Sequence, residues 1–116
     1  MNPDRQAAHL ADMLSFVREL RALVDGLSAE EFAANRILSL AVEKLFINLG
    51  EAAYRLGDET AKAAPGIPWR QIIGLRNILA HGYEQVAHEV LFNTVIHDLP
   101  SVDSTLRQLV NPNPSN

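Results

Sequence analysis

Apolar residues recur at intervals of three and four positions along most of the chain, which is the spacing of an amphipathic α-helix. Near the N-terminus this repeat consists of Leu10, Met13, Leu14, Val17, Leu20 and Val24. Asn2-Pro3-Asp4 precedes it and is typical of a helix start, with Asn2 as the cap and Pro3 at the first helical position. We therefore predict a first helix that ends near Asp25-Gly26.

The longest apolar pattern lies between Arg36 and Leu56 and contains two stripes. One stripe consists of Leu38, Ala41, Val42, Leu45, Leu49, Ala52 and Leu56. The second, rotated from the first, consists of Ile37, Leu40, Ile47 and Tyr54. A helix that is apolar on most of its circumference must be covered on more than one side. Because the domain is small, we expect a second protomer to provide one cover. The alternative is a central helix wrapped entirely by its own chain.

Cap and turn residues delimit shorter helices on either side of this long one. Ser28 with Glu31 three residues later has the form of a capping box, which predicts a short helix or turn over Glu30–Ala34. Gly57-Asp58 should close the long helix, and one or two further turns can follow over Glu59–Ala64.

The loop Pro65-Gly66-Ile67-Pro68 cannot continue a helix, and Pro68 is well placed to begin the next one. Gly82 is a natural end for that helix, whose apolar face is Trp69, Ile72, Ile73, Leu75 and Leu79. Another amphipathic helix is predicted over Val86–Ile96, with a break or kink at Pro100 before a last helix that ends near Val110.

No β-alternation, internal repeat or domain boundary is visible in the sequence. The patterns together predict an all-α fold, an antiparallel bundle of four to six helices over residues 1–110. Residues 111–116 contain nothing to bury, and we predict a disordered C-terminal tail there.

Composition predicts a single cytoplasmic domain. A chain of 116 residues is long enough for one core. No apolar run approaches the roughly 18 to 20 residues needed to cross a bilayer, and the N-terminus lacks the order of a signal peptide. With no cysteine, neither a disulfide framework nor a thiolate metal site can form.

Charge is distributed unevenly along the chain. The formal net charge of −4 argues against a broad, sequence-blind nucleic-acid binder, because such proteins are normally basic. Between Glu59 and Glu84, however, there is no acidic residue, while Lys62, Arg70 and Arg76 fall inside this interval. An anion can therefore be received in this locally cationic stretch.

The same stretch contains a dense polar cluster, Arg76-Asn77-Ile78-Leu79-Ala80-His81-Gly82-Tyr83. Residues four apart on a helix lie one above the other, so the Asn77 side chain can hydrogen-bond His81 and fix its tautomer. Arg76 and Tyr83 would align on a neighbouring face if the helix persisted through Gly82. Arg76 and His81 are about 140° apart around the axis, yet a long arginine side chain can still reach the same pocket.

These residue types suit a phosphodiester substrate. An arginine fork binds two phosphate oxygens and stabilises transition-state charge, and histidine, which titrates close to neutral pH, can take and return a proton. In RNA the 2′-hydroxyl is a nucleophile within the substrate, so the reaction requires no metal, and the sequence has no metal-binding motif. Spacing alone leaves an alternative open, in which a histidine at a helix end only caps carbonyl groups.

Three segments together resemble a known family. The first segment is similar to the signature of the HepT-like toxins, a branch of the HEPN domain superfamily. It reads Ile67-Pro68-Trp69-Arg70-Gln71-Ile72-Ile73-Gly74-Leu75-Arg76-Asn77-Ile78-Leu79-Ala80-His81-Gly82-Tyr83. The other two segments also resemble that family's pattern, and they are Leu49-Gly50-Glu51-Ala52-Ala53 and Asp98-Leu99-Pro100. The resemblance extends from about Asp4 to Val110.

The resemblance implies a metal-independent ribonuclease toxin without cofactors, acting as a homodimer with its cleft at the interface. Its implied partner is a minimal nucleotidyltransferase antitoxin, which transfers AMP from ATP onto a tyrosine. Carried over to this sequence, Arg76 and His81 are the catalytic pair, Asn77 is a polar supporter, and Tyr83 is the target of AMPylation. An AMP there would add bulk and negative charge where the RNA phosphate must lie.

The chain departs from the family pattern after the tyrosine, where Glu84-Gln85 replaces an aromatic residue and a glycine. Ala87 stands where an acid is frequent, and Phe92 where a tryptophan is frequent. An acid beside Tyr83 could disfavour RNA or alter docking of the antitoxin. These differences bear on substrate affinity and on the fit of the partner more than on the fold.

Two further residues have a functional and a plain interpretation. Glu51 either pairs with Arg76 of its own or the partner chain and orients the guanidinium, or points to solvent. Arg70 is either a surface charge or a contact to the RNA backbone. For the chain as a whole, two alternatives to a ribonuclease remain open: a non-catalytic nucleotide- or partner-binding module, and a structural dimerisation unit with a buried polar network.

Overall fold

The computed structural model describes residues 3–82 and 86–111. Regular structure in these ranges is helical and confirms the all-α prediction: the elements are α1 (Pro3–Val24), α2 (Ala29–Ala34), α3 (Arg36–Ala63), α4 (Trp69–His81), α5 (His88–Asn93) and α6 (Leu99–Val110). A π-helical turn at Thr94–Asp98 joins α5 to α6. None of the helices in this part of the chain is long and apolar enough to span a membrane.

Helix α3 lies between α1 and α4 and packs along both, while α1 also packs against α6 and α2 packs against α5. The six apolar residues predicted to form the inner face of α1 are all buried. The bundle therefore forms one core, and α4 is attached to it chiefly through α3.

The start of α2 follows the prediction made from the capping box. The Ser28 hydroxyl accepts a hydrogen bond from the Glu31 backbone at 3.0 Å, and the Glu31 carboxylate accepts one from the Ser28 backbone at 2.8 Å. This pair satisfies two backbone donors that the first turn of a helix leaves open. The predicted cap of α1, Asn2, lies outside the described residues.

Gly57 interrupts α3 where the sequence predicted an end. Its backbone adopts φ +79° and ψ −176°, a conformation open almost only to glycine, and the helix resumes beyond it to Ala63. The predicted extra turns after Gly57 are thus confirmed, and they are separated from the long segment by a single non-helical residue.

The two apolar stripes of α3 have different surroundings. The first is buried or partly buried against the rest of the bundle. In the second, Ile37 is 83% exposed, Leu40 47% and Tyr54 65%. Ile47, the fourth member, is partly buried. The chain therefore does not wrap this helix on all sides, because three of the four positions of its second stripe are exposed.

Two boundaries near the C-terminus differ from the prediction. Helix α5 begins at His88 rather than Val86, and its cap position, Ala87, has no side-chain hydrogen bond to offer. The disturbance predicted at Pro100 is present, but it lies before the proline, in the π-helical turn that separates α5 from α6. Pro100 itself sits in the first turn of α6. Because proline lacks an N–H, it cannot continue the ladder of helical backbone hydrogen bonds, and the bonds near it must be rearranged. In the π-helical turn, the Leu99 N–H bonds to the Thr94 carbonyl oxygen five residues back.

Candidate active site on helix α4

The candidate site depends on a close crossing of α3 and α4 at Gly50. A Cβ atom built on Gly50 would overlap Cβ of Arg76, lie 2.8 Å from its Cγ and 3.0 Å from the Ile72 backbone oxygen. Gly50 is buried, and the stem of the arginine lies directly over it. Only a residue without a side chain allows the two backbones to approach this closely.

The crossing brings the Arg76 guanidinium to the carboxylate that follows Gly50. Arg76 Nη2 donates a hydrogen bond to Glu51 Oε1 at 2.5 Å, and Nη1 donates to Asn77 Oδ1 at 2.6 Å. The arginine side chain is 26% exposed and that of Glu51 38%, so the ion pair is only partly screened by solvent. Two separate acceptors therefore fix the plane of the guanidinium.

Of the two placements considered for Glu51, the structure has the pair with Arg76 of the same chain. The second carboxylate oxygen, Oε2, lies 3.5 Å from Nη2 of Arg55, one turn further along α3. Glu51 thus stands between two arginines. The Nε atom of Arg76 is buried without a hydrogen-bond partner among the described residues.

His81 is the last residue of α4 and turns back toward the helix. Its Nδ1 atom lies 2.6 Å from the backbone carbonyl oxygen of Asn77. Because a carbonyl oxygen can only accept, Nδ1 carries the proton in this contact, and Nε2 is the basic nitrogen of the neutral ring.

The expected hydrogen bond between the Asn77 side chain and His81 is replaced by this backbone contact. Helical spacing places the two residues on one face, but at the C-terminal end of a helix the carbonyl four residues back is itself an acceptor for an imidazole. The Asn77 amide is used for Arg76 instead. Arg76 and His81 are consequently both bonded to Asn77. Arg76 bonds to the Asn77 side chain, and His81 bonds to the Asn77 backbone.

Helix α4 ends as predicted at Gly82, which adopts the left-handed conformation with φ +68° and ψ 12°. Its N–H bonds to the Ile78 carbonyl oxygen at 3.2 Å. The helix does not persist through Gly82, so the condition under which Arg76 and Tyr83 would align is not met. Tyr83, the predicted site of AMPylation, and Glu84-Gln85 lie outside the described residues.

Arg70 lies on the same face of α4 as Asn77 and His81, because offsets of seven and eleven residues return to within about 20° of one direction. It is exposed, and it lines a groove of about 790 Å³ that also contains Asn77 and Tyr54. Within the described part of the chain, Arg70 forms no salt bridge.

Gly50 and Arg55 were not identified as site residues from the sequence. Gly50 carried a signal, since a glycine within a helical pattern costs about 1 kcal/mol relative to alanine and usually has a packing reason. Arg55 follows Glu51 at the spacing of a helical ion pair. In residues 3–82 and 86–111, no group of three or more histidine, aspartate or glutamate side chains could hold a metal ion.

Comparisons with known proteins identify a family that matches most of the chain. The family described as "Ribonuclease HepT-like" matches residues 13–109. A relative from Methanocaldococcus jannaschii, named "Putative RNase MJ1380", is 28% identical over 95 residues, covering 82% of this chain and 87% of its own. Another from Thermococcus cleftensis, named "Probable ribonuclease HepT", is 27% identical over 101 residues, covering 87% and 92%. No solved structure matches the chain.

The family match spans most of the helical bundle and includes every residue of the candidate site. The fold and the site define an all-α protein of the HEPN type. The chain belongs to the HepT-like ribonuclease family.

The crossing at Gly50 generates a prediction about stability. Gly50→Ala should lower the free energy of unfolding by about 1 to 3 kcal/mol, because the new methyl group meets the Ile72 backbone and the arginine stem rather than a flexible chain end. Urea unfolding followed by circular dichroism measures this change.

Gly74→Ala is the matched control within α4, since a Cβ there meets nothing within 4 Å. It should leave stability unchanged or raise it by up to about 1 kcal/mol. Equal stability of Gly50→Ala and the parent protein would contradict the close crossing.

Proposed function

We propose that this chain is a metal-independent endoribonuclease in which Arg76 and His81 act on the scissile phosphodiester. The observation that carries the proposal is their joint attachment to Asn77. This residue holds the imidazole through its backbone carbonyl and the guanidinium through its side chain. A polar pair fixed in this way beside a partly exposed surface suits proton transfer next to a bound anion.

The contacts support a definite assignment of roles. With Nδ1 committed to the Asn77 carbonyl, Nε2 of neutral His81 takes the proton from the RNA 2′-hydroxyl. The 2′-oxygen then attacks the adjacent phosphorus, the bond from phosphorus to the 5′-oxygen breaks, and an imidazolium returns a proton to that leaving oxygen. Arg76 binds the non-bridging oxygens and stabilises the charge that builds on them. The products are a 2′,3′-cyclic phosphate and a 5′-hydroxyl.

We further propose that the enzyme acts as a homodimer. Each chain supplies only one imidazole and one guanidinium for catalysis, and two chains that share one cleft would supply two of each. The exposed stripe of α3 supports this arrangement, because large apolar side chains exposed on one helix face often mark an interface. Glu51 lies three residues from Tyr54 and four from Ile47, so the stripe passes beside the candidate site. A dimer formed through the Ile37, Leu40 and Ile47 part of the stripe would bring two sites together and leave Tyr54, at the C-terminal end of the stripe, accessible.

The family resemblance supports a regulatory partner, a minimal nucleotidyltransferase antitoxin that adds AMP to Tyr83. This tyrosine follows His81 by two residues, immediately after the helix cap. A phosphate attached there would carry negative charge close to the place where an RNA phosphate must bind. In this proposal the chain is the toxin of a type II toxin–antitoxin system and acts on RNA in the cytoplasm.

One observation favours a second candidate, a non-catalytic module that binds a nucleotide or a partner protein. Both Nη atoms of Arg76 are already engaged by Glu51 and Asn77, and the His81 contact is also an ordinary way to cap a helix. In that role the cluster would recognise a ligand without performing chemistry, and substitutions would change binding alone.

Catalysis by the pair predicts a specific pattern of variant activities. His81→Ala should lower the rate of RNA cleavage in EDTA by about 10²- to 10⁴-fold, and Arg76→Ala by about 10²- to 10³-fold. Arg76→Lys keeps the aliphatic stem over Gly50 but lacks the planar fork, so its activity should be intermediate. A labelled RNA separated on denaturing gels gives the rates.

His97→Ala is the control for these variants, because His97 is exposed on the π-helical turn and should be dispensable. Circular dichroism establishes that every variant is folded. Parent-like cleavage by folded His81→Ala or Arg76→Ala would refute the catalytic assignment, as would the absence of cleavage by the parent protein.

AMPylation can be tested with the two tyrosines that the chain contains. After co-expression with a minimal nucleotidyltransferase of the kind that the family resemblance implies, the intact mass of the protein should rise by one or more AMP units. Tyr83→Phe should abolish the increase, while Tyr54→Phe, the matched control, should retain it. An increase that survives in Tyr83→Phe, or none in the parent protein, would contradict the proposed modification.

A further inference from the structure

A groove between α3 and α4 is not used by the chemistry above. We call it the α3–α4 groove and define it by Tyr54, Asp58, Arg70, Gly74 and Asn77, which line its about 790 Å³ volume. Asn77 belongs both to the groove and to the candidate site, so the groove begins where the guanidinium is held. It therefore offers a continuous path along α4 from the reacting phosphate.

Two glycines line the groove without adding a side chain to it. A Cβ atom built on Gly57 or on Gly74 would meet nothing within 4 Å. Gly57 is required by its backbone conformation, but Gly74 lies inside α4, where alanine would be more favourable for the helix. The position of Gly74 therefore needs a reason other than local helix stability, and space for a ligand is such a reason.

The side chains along the walls have the chemistry of a single-stranded nucleic-acid site. Tyr54 is 65% exposed and presents an aromatic ring on the α3 wall. Arg70 is an exposed cation on the α4 wall, in line with Asn77 and His81. Asp58 lines the groove beyond Gly57. In the described ranges neither Arg70 nor Asp58 takes part in an ion pair, so neither side chain is held by an oppositely charged one.

We infer that the α3–α4 groove binds the RNA strand next to the scissile phosphodiester. In this arrangement Arg70 contacts a backbone phosphate, Tyr54 stacks on a base, and Asp58 accepts hydrogen bonds from the edge of that base. The inference rests on the proposed ribonuclease function and names the strand path and the base preference of the same site. Stacking on an aromatic ring combined with an arginine on the backbone is the general means of holding an unpaired strand.

Asp58 determines which part of the nucleotide faces it and which base the subsite prefers. A carboxylate repels phosphate, so the base rather than the backbone must face it. Because an ionised carboxylate only accepts, it favours a base edge with adjacent donors. Guanine, whose Watson–Crick edge offers an N–H and an amino group side by side, fits best, and uracil fits less well.

The test measures RNA binding in the His81→Ala background, which keeps the probe intact. Fluorescence anisotropy with short fluorescein-labelled single-stranded RNAs, one rich in guanine and one of uracil alone, gives the dissociation constants. Tyr54→Ala should weaken binding of the guanine-rich probe by about 5- to 100-fold, while Tyr54→Trp should preserve it. Arg70→Ala should weaken binding to both probes and reduce the salt slope by about one.

Further variants separate the groove from general charge effects. Gly74→Leu should weaken binding at least as much as Tyr54→Ala, because it fills the groove, and Gly74→Ala should have a smaller effect. Asp58→Asn should reduce the preference for the guanine-rich probe. The charge-matched control is Arg18→Ala, since Arg18 is exposed and lines a separate cavity between α1 and α6. It should bind as its parent does.

Each outcome decides whether the groove binds RNA. Parent-like affinity in Tyr54→Ala, Arg70→Ala and Gly74→Leu overturns the inference. A loss of RNA binding in Tyr54→Ala also overturns it when light scattering shows that the same substitution converts a dimer to a monomer, because a second copy would then occupy this surface.

Cleavage assays on the same substitutions with His81 restored separate the two proposals. If the parent protein cleaves RNA and the groove variants cleave equally well, the groove inference fails and the ribonuclease stands. Groove-dependent binding without any cleavage by the parent protein supports the groove and refutes the ribonuclease.

Discussion

The close approach of α3 and α4 at Gly50 is the constraint on which the candidate site depends. Because the stem of Arg76 lies over a residue without a side chain, the guanidinium reaches the carboxylate of Glu51, the next residue along α3. The same approach sets the position of Asn77 and, one turn later, of His81. A single glycine therefore determines how α4 lies on α3, and the polar contacts follow from that position.

Local chemistry made much of the fold predictable. The inner face of α1, the capping box before α2 and the end of α4 at Gly82 each depend on nearby residues, and each is confirmed. The crossing at Gly50 was not predictable, because it depends on residues in two helices. The π-helical turn before Pro100 was also missed, since proline predicts a disturbed ladder without specifying how the chain accommodates it.

The candidate site was predictable in its residues but less so in its contacts. Helical spacing placed Asn77 and His81 together, yet it could not tell which oxygen of Asn77 meets the imidazole. The backbone oxygen does, and this leaves the side chain to Arg76. Family membership supports a ribonuclease, and the exposed apolar stripe beside the site is the ground for the proposal that a second copy of the chain joins it. The roles of Tyr83 and of the partner antitoxin stay predictions from the family resemblance.

The proposed reaction needs only imidazole and guanidinium groups from the protein, because the RNA supplies its own nucleophile. The most direct measurement of this claim is mass spectrometry of the fragments that purified protein produces from a defined RNA in excess EDTA. The proposed mechanism predicts upstream fragments ending in a 2′,3′-cyclic phosphate and downstream fragments beginning with a 5′-hydroxyl. Fragments with a 3′-hydroxyl and a 5′-phosphate, or cleavage that appears only when a divalent metal is added, would contradict it.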